Sequence, residues 1–368
     1  MLFEEIIPTR GVSKKVLAQC DGLRANGVNV DLISLKIDNG AFYSYVNDRP
    51  IYSYGSGVLK YFKLQFCFGH IIAFIKNKHF DLIYIRYSRS SPFMILLFRA
   101  IRKLNVKIFL EIPTYPYDKE RIYAKSFKSK AYRSVLFKLD KIVRRFYKYN
   151  VDRIVTVQNY DYIFDVPTIK ISNGIDLNKV PLIAPRIHSE FNFIGVAELN
   201  VTHGYDRLIE GIGLYYEHGG KEDIHFYIIG DYSNVFNDYN EIIKKYNLEE
   251  RIHLEGAKFG EDLDNYFSSA DMAVGGLAGF RTGVYEAKPL KCVEYAARGV
   301  PFVYAELNSD FDNCRFVKLV SQDDSPIDVE SIILFRRNLE LTPMDIRSYV
   351  RDNITWSQVM NKIIIESY

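Results

Sequence analysis

Along the chain, short runs of β-branched and aromatic residues alternate with stretches whose apolar positions recur at helical spacing. LFEEII (2–7) reads as a first strand. GVSKKVLAQCDGLRANG follows as a helix, with Val12, Val16, Leu17, Cys20 and Leu23 on one face and Gly27 at its end. VNVDLISL (28–35) is a second strand. DLIYIRY (81–87) and VKIFLEI (106–112) are further strands with a helix between them, and RIVTV (153–157) closes the set. Alternation of this kind predicts a mostly parallel, doubly wound sheet.

The texture breaks at VPTIKISNGIDLNKVPLIAP, which carries Pro167, Pro181, Pro185 and the turn pair Asn173-Gly174. The alternation then restarts: FNFIGVAEL, IHFYIIGD, RIHLEG, DMAVGGL and PFVYAEL are strands separated by helical stretches. TWSQVMNKIIIESY is a terminal helix. The expected class is α/β, with two doubly wound Rossmann-like domains facing across a cleft. The expected boundaries are an N-terminal domain over 1–165, a linker over 166–190, a C-terminal domain over 191–350, and a helix over 351–368 packing back toward the N-terminal domain. Open α/β sheets bind ligands outside the carboxyl ends of their strands, so two such sheets place two substrates at one crevice.

Length and composition agree with this plan. The 368 residues suit two domains, and 48% hydrophobic with 25% charged residues is ordinary for folded cores. A net charge of +3 argues against a general polyanion binder. Cys20, Cys67, Cys292 and Cys314 lie far apart with no CxxC pair, which disfavours structural zinc and a disulfide framework and fits a reducing compartment. The opening residues hold two glutamates and no basic region. The longest apolar runs, such as PFMILLF (92–98), are too short to span a bilayer. A cytoplasmic protein is the expectation.

The chemistry concentrates in EAKPLKCVEYAARG (286–299). Pro289 suits a helix start and Gly299 its end, so the pattern predicts a helix over 289–298. Glu286 then precedes the helix and Glu294 lies about a turn and a half inside it. Lys288 and Lys291 sit where the helix dipole disfavours cations unless an anion is present. A diphosphate would account for them, and Arg281 in GFRTG lies just upstream. The glutamates are suited to accept hydrogen bonds from a ribose diol and a sugar hydroxyl. A plainer reading pairs Lys291 with Glu294, three residues apart, on a solvated face.

The run ADMAVGGLAGFRTGVYEAKPLKCVEYAARGVPFV (270–303) resembles the donor-site segment of family 4 glycosyltransferases of GT-B fold, in a variant similar to a branch of polysaccharide biosynthesis. SNGID (172–176) is similar to that family's interdomain junction, and GVAELNVTHGYDRLIEGI to the opening of its C-terminal domain. EIPTYPYDKE (111–120) and GVSKKVLAQ resemble parts of its N-terminal domain. The resemblance implies that Glu294 binds the ribose hydroxyls and that Glu286 binds a donor-sugar hydroxyl. It puts backbone amides from Ala287 to Leu290, including Pro289's neighbours, at the phosphates, and Gly11 near the diphosphate. Gly230, closing the strand IHFYIIGD, counts with the donor-binding residues; no GxGxxG follows it, which argues against a dehydrogenase. Many family members hold the diphosphate with an Arg and a Lys where this chain has Glu198 and His203. Here His203 offers one hydrogen bond, and Arg207, Arg281, Lys288 and Lys291 are the substitute cations. Many members also carry a His after an N-domain strand. The matching strand ends in Glu111, which either takes that catalytic place or marks a site built differently.

Other constellations weigh less. Asp262-Leu263-Asp264 and Asp310-Phe311-Asp312 match the DxD metal pattern of another glycosyltransferase fold, but ordinary surface acids are the preferred reading and no metal or other cofactor is expected. Residues 125–149, KSFKSKAYRSVLFKLDKIVRRFYKY, hold nine Lys or Arg against Asp140. Val135, Leu136, Leu139, Ile142, Val143 and Phe146 recur there at helical spacing. This is either a basic amphipathic helix on an anionic membrane surface or a core-packed helix with a solvated basic face. A nucleic-acid partner is not expected. The functional expectation is a retaining glycosyltransferase with a nucleotide-sugar donor, UDP-sugar favoured, and a lipid-linked oligosaccharide or surface-polysaccharide acceptor. It would be cytoplasmic, with peripheral attachment to the inner membrane face as the corollary of the membrane reading. The alternative is a non-catalytic nucleotide-sugar-binding or scaffolding subunit.

Overall fold

The structure is a computed structural model that describes residues 5–7, 11–87, 92–112, 115, 138–233 and 235–368. It divides into two compact units, Met1–Ser172 with Trp356–Tyr368, and Asn173–Thr355.

In the first unit, α1 (Gly11–Ala25) leads to an antiparallel three-stranded sheet of β1 (Ile33–Asp38), β2 (Ala41–Val46) and β3 (Arg49–Gly55). The second strand expected over 28–35 is β1: Leu35 bridges Glu5 of the expected first strand in parallel, and the antiparallel partner β2 was not expected. The strand starts at Ile33 and turns back through Asn39 and Gly40, whose φ values of 46° and 74° fit a tight hairpin. Then come α2 (Leu59–Phe66), α3 (Gly69–Lys78), β4 (Leu82–Arg86), α4 (Pro92–Arg102) and β5 (Lys107–Glu111). A further helix, α5, is described from residue 138 to 143 and tightens to a 3-10 turn over Arg144–Tyr149. β6 (Arg153–Thr156), β7 (Tyr162–Ile163) and β8 (Val166–Lys170) complete a sheet in the order β4-β5-β6-β8-β7. All its pairings are parallel except β7 with β8.

The linker expected over 166–190 is therefore displaced. Pro167 is the second residue of β8, where the ladder loses little because its neighbour β7 is only two residues long. The C-terminal helix Trp356–Ser367 belongs to this unit. Trp356, Val359, Met360 and Ile363 pack with Phe109, Val155, Ile169 and Ile171. The helix lies so close to α1 that a Cβ on Gly22 would sit 2.6 Å from the Trp356 carbonyl oxygen.

The second unit is a six-stranded, all-parallel sheet. Its elements in order are β9 (Phe191–Val196), α6 (Tyr205–Glu217), β10 (Ile224–Ile229), α7 (Phe236–Lys245), β11 (Ile252–Gly256), α8 (Gly260–Ser268) and β12 (Met272–Val274). There follow α9 (Leu290–Arg298), β13 (Phe302–Tyr304), β14 (Val317–Leu319), α10 (Val329–Arg337) and α11 (Pro343–Asn353). The strand order β11-β10-β9-β12-β13-β14 is doubly wound. Side chains alternate between two cores: Phe191 and Phe193 enter one, Ile194 and Val196 the other. The stretch after Ser172 is tied into this unit by Arg347, which donates to the carbonyls of Leu177 and Val180 at 2.7 and 2.9 Å.

Candidate functional site

The winding reverses between β9 and β12, and the carboxyl ends of these strands open the crevice where doubly wound sheets take ligands. Two loops line it, one after β9 and one after β12. They are stitched together by Leu277 N to His203 O at 2.9 Å and Ala278 N to Thr202 O at 3.1 Å. Gly204 makes this possible. Its φ is 64°, and a Cβ there would lie 2.5 Å from the Ala278 Cβ.

The helix predicted over 289–298 begins one residue later, as α9. Pro289 is its extended N-cap and offers no side-chain capping bond, while Gly299 closes it at φ 82°. Cys292 N donates to the Pro289 carbonyl at 3.2 Å, which leaves the amides of Leu290 and Lys291 for an external acceptor. Asn173 of the SNGID run donates to the Lys288 carbonyl at 2.9 Å and so fixes the segment that leads into the helix.

The predicted cations divide sharply. Lys288 pairs with Asp310 at 2.7 Å, both nearly buried. Arg281 forks onto Asp206 at 2.6 and 3.0 Å and reaches Asp324 at 2.7 Å; the hydrogen bonds to Asp206 push its pKa up. Arg207 is buried, donating to the carbonyls of Ser325, Leu277 and Ser321. These three, offered by the sequence as substitute phosphate cations, brace loops and are already engaged within the protein.

Lys291 differs. Its Nζ is buried, has no hydrogen-bond partner, and lies 5.8 Å from the centroid of the Tyr205 ring. Burial lowers its pKa to about 8. The plainer pairing of Lys291 with Glu294 is not formed. Glu294 instead accepts from Arg298 at 3.1 Å and stays part-exposed. Beside Lys291, His203 is held neutral, its pKa lowered to about 4 by burial and then by the Lys291 charge. Its Nδ1 accepts from the Asn200 amide at 3.2 Å, so the ring proton sits on Nε2.

Glu286 is positioned by backbone pairing with Leu307, and its neighbour Ala287 donates to the Leu307 carbonyl at 3.0 Å. Its carboxylate has no partner among the described residues. Gly230 has φ 132°, and a Cβ there would lie 1.8 Å from the Ala197 oxygen; it lets β10 end close beneath the loop after β9. Leu290, at the mouth of the helix, is exposed.

Glu306 was not anticipated. It follows β13, is 6% exposed, and accepts from Gly279 N at 2.8 Å. Burial raises its pKa. A Cβ on either Gly276 or Gly279 would come within 2.6 Å of its carboxylate. The glycines of VGGLAG were the available signal, since they mark where another group crowds the backbone.

Gly11 and Glu111 belong to the first unit. Gly11 opens α1, and residues 8–10 lie outside the described set. Glu111 ends β5 at 1% exposure, and its Oε1 accepts from Arg86 at 3.0 Å and Lys15 at 3.3 Å. Burial pulls its carboxyl upward, but Lys15 and Arg86 outweigh this and hold it below its usual value. Those ion pairs make it a buried counter-ion. In the second unit, Asp310 takes Lys288, and Asp312 accepts from Tyr304 at 2.7 Å and Asn308 N at 2.8 Å. Of the basic segment over 125–149, residues 125–137 lie outside the described set. In the rest Val143 and Tyr147 are buried while Leu139, Ile142 and Phe146 are exposed.

Residues 190–318 match the family described as Glycosyl transferases group 1. Comparison with curated proteins by sequence gives no match. Among solved structures, the chain resembles a glycosyltransferase from Rickettsia africae at 14% identity and TM-score 0.62, covering 100% of this chain and 97% of that one. It also resembles sucrose-phosphate synthase of Thermosynechococcus elongatus at 14% identity and TM-score 0.59, covering 99% and 97%. HepE of Anabaena, solved with UDP and glucose, is similar at 11% identity and TM-score 0.56, covering 99% and 98%. The chain therefore has the GT-B architecture of two Rossmann-like domains, and its second unit carries a glycosyl transferases group 1 domain.

Proposed function

We propose that this chain is a glycosyltransferase that moves a hexose-like sugar from a nucleotide-sugar, UDP-sugar favoured, to a lipid-linked oligosaccharide or surface-polysaccharide acceptor with retention of configuration. The observation that carries this reading is the unpartnered Lys291 ammonium, buried at the switch point beside the open N-terminus of α9. A buried ammonium without a hydrogen bond is costly even with the Glu306 carboxylate in electrostatic reach, and a diphosphate is the group that would relieve it there. Neutral His203 offers an Nε2 proton to the same anion. Part-exposed Glu294 and unbonded Glu286 offer carboxylate oxygens to ribose and sugar hydroxyls.

In the reaction, charge develops on the leaving diphosphate as the bond to the sugar breaks. Lys291, His203 and the α9 amides stabilise that charge, and fixed donors in a dry site do so without reorganising. Glu286 orients the sugar, and a diphosphate oxygen accepts the proton of the incoming acceptor hydroxyl. No metal takes part in this scheme. UDP-bound relatives at low identity motivate the choice of base.

Thermal stability with UDP, GDP and their sugars tests the donor site. A ligand at 100 times its dissociation constant adds about 2.7 kcal/mol to stability. The expected result is a rise in Tm with one nucleotide class that Glu294→Ala removes. No rise with any of them would sink the donor site. A rise without sugar transfer to any glycan acceptor would favour the scaffold reading, which the internal pairing of Arg207, Arg281 and Lys288 supports.

A further inference from the structure

The helix α5 wears its amphipathic pattern partly inside out. Asp140, Val143 and Tyr147 face the core, with Asp140 accepting from the Tyr87 hydroxyl at 2.7 Å. Leu139, Ile142, Phe146 and Tyr149 follow one another at spacings of three and four and are all exposed, Ile142 at 56% and Tyr149 at 66%. A helix that only packed on a core would bury that stripe and expose its polar face.

The stripe continues onto neighbouring helices of the same unit. Phe146 and Tyr149 line an open groove with Arg99, Arg102 and Lys103 from the end of α4. One turn back along α4, Leu96 is 57% exposed, and a turn further Phe93 meets Phe66 of α2 with ring centroids 3.9 Å apart. On α2, Phe66 stacks on Phe62, and Leu59 and Phe62 are both well exposed.

Charge on these helices has one sign. α2, α4 and residues 138–149 contain no acidic residue except the buried Asp140. Lys138, Lys141, Arg145 and Lys148 flank the α5 stripe, and Arg99, Arg102 and Lys103 flank the groove; all seven are exposed. Asp152 pairs with Arg102 at 3.2 Å and Asp165 with Lys148 at 3.0 Å.

We infer that this face of the first unit docks on a bilayer containing anionic phospholipid. Aliphatic and aromatic side chains would enter the boundary between headgroups and acyl chains while the flanking cations meet lipid phosphates. A nucleic acid would satisfy the cations and aromatic rings but leave Leu59, Leu96, Leu139 and Ile142 unused. No helix among the described residues is long and apolar enough to cross a membrane, so the contact is with the surface. It is independent of the donor site and stands or falls separately from it.

The test is sedimentation of the full chain with phosphatidylcholine vesicles, with and without phosphatidylglycerol. Three variants accompany it: Ile142→Ser with Phe146→Ser, Lys103→Glu with Arg145→Glu, and as control Lys362→Glu on the C-terminal helix. All change exposed or part-exposed side chains, and melting temperature confirms that each folds. The expected result is binding to anionic vesicles that weakens with salt, falls at least about tenfold in both patch variants, and persists in the control. Absence of binding to anionic vesicles overturns the inference. So does binding that both patch variants retain, or a patch that instead mediates self-association or salt-dependent oligonucleotide binding without vesicle binding.

Discussion

Each Rossmann-like unit buries charge near the carboxyl ends of its strands, and the two do it in opposite ways. In the first unit Glu111 sits beneath Lys15 and Arg86, so its charge is answered by the protein itself. In the second, Lys288, Arg281 and Arg207 are likewise answered, but Lys291 is left buried and unpartnered. A buried ion pair is neutral toward ligands and structural in effect. The Lys291 ammonium makes no hydrogen bond, and the attraction of the buried Glu306 carboxylate does not offset its desolvation, so an incoming anion can relieve what remains. The contrast separates a group that holds the fold from one that is poised to bind.

The sharpest way to break this comparison is to remove one charge from each unit. Glu111→Gln keeps the shape but strands two cations at 13% and 12% exposure. Loss of one partner of a buried pair costs about 3–5 kcal/mol. Urea denaturation should show that loss, while nucleotide binding by the folded fraction stays unchanged. A stable Glu111→Gln that loses donor binding would reverse the assignment and return Glu111 to the catalytic site.

Lys291→Met should do the converse. Hydrogen bonds to charged groups contribute about 1.5–3 kcal/mol, so nucleotide affinity by calorimetry should fall roughly ten- to a hundredfold. Stability without ligand should change little, because relief of the buried ammonium's desolvation is set against the loss of its attraction to buried Glu306. Unchanged affinity in this variant would mean that the diphosphate does not sit at α9.

The stretch around Lys291 also shows what was legible in the sequence. Proline at 289 and glycine at 299 placed α9 to within one residue, because these residues act through their own backbones. The apolar runs likewise located every parallel strand of the second unit except β14, whose VKL is half-buried to exposed and lacks the buried apolar run that marks the equally short β12 and β13. Charge pairing was not legible. Lys288, Lys291, Arg207 and Arg281 look equivalent in sequence, and the acids that pair with Lys288 and Arg281, namely Asp310, Asp206 and Asp324, lie from 22 to 75 positions away. The β1–β3 meander was missed although Asn39-Gly40 is a hairpin signal flanked by alternating residues, because the helix–strand alternation on either side suggested parallel order. In α5 the period was right, but which stripe faces the core depends on what packs there, and that is not a local property.

A smaller effect tests the frame that holds the site. Gly204→Ala places a methyl where only 2.5 Å separates its position from the Ala278 Cβ, in a left-handed backbone. Strain and overpacking together cost about 1–3 kcal/mol. Because the clash lies between the two loops at the switch point, nucleotide affinity should fall along with Tm. The same substitution at Gly27, which has φ 81° but no atom within 4 Å, should lower Tm by the backbone term alone and leave affinity intact. Equal effects on affinity at both positions would show that loop packing does not govern the site.

The smallest expected effect is in pH, and it carries two slopes of opposite sign. Burial sets the Lys291 pKa near 8 in the free protein, against 10.5 for an ordinary lysine. The folded protein therefore binds fewer protons than the unfolded chain between about pH 8 and 10.5. This residue's unfavourable contribution is complete below pH 8 and is relieved as pH rises through that window. Nucleotide binding runs the other way, because the diphosphate needs the ammonium form. Affinity should be level below pH 8 and weaken by about tenfold between pH 7 and pH 9. His203, near 4, and Cys292, pushed up to about 12, do not titrate in that interval. Isothermal titration across it, repeated on Lys291→Met, assigns the slope. The variant should show a flat affinity profile, and a slope that survives in it would have to come from a group other than Lys291.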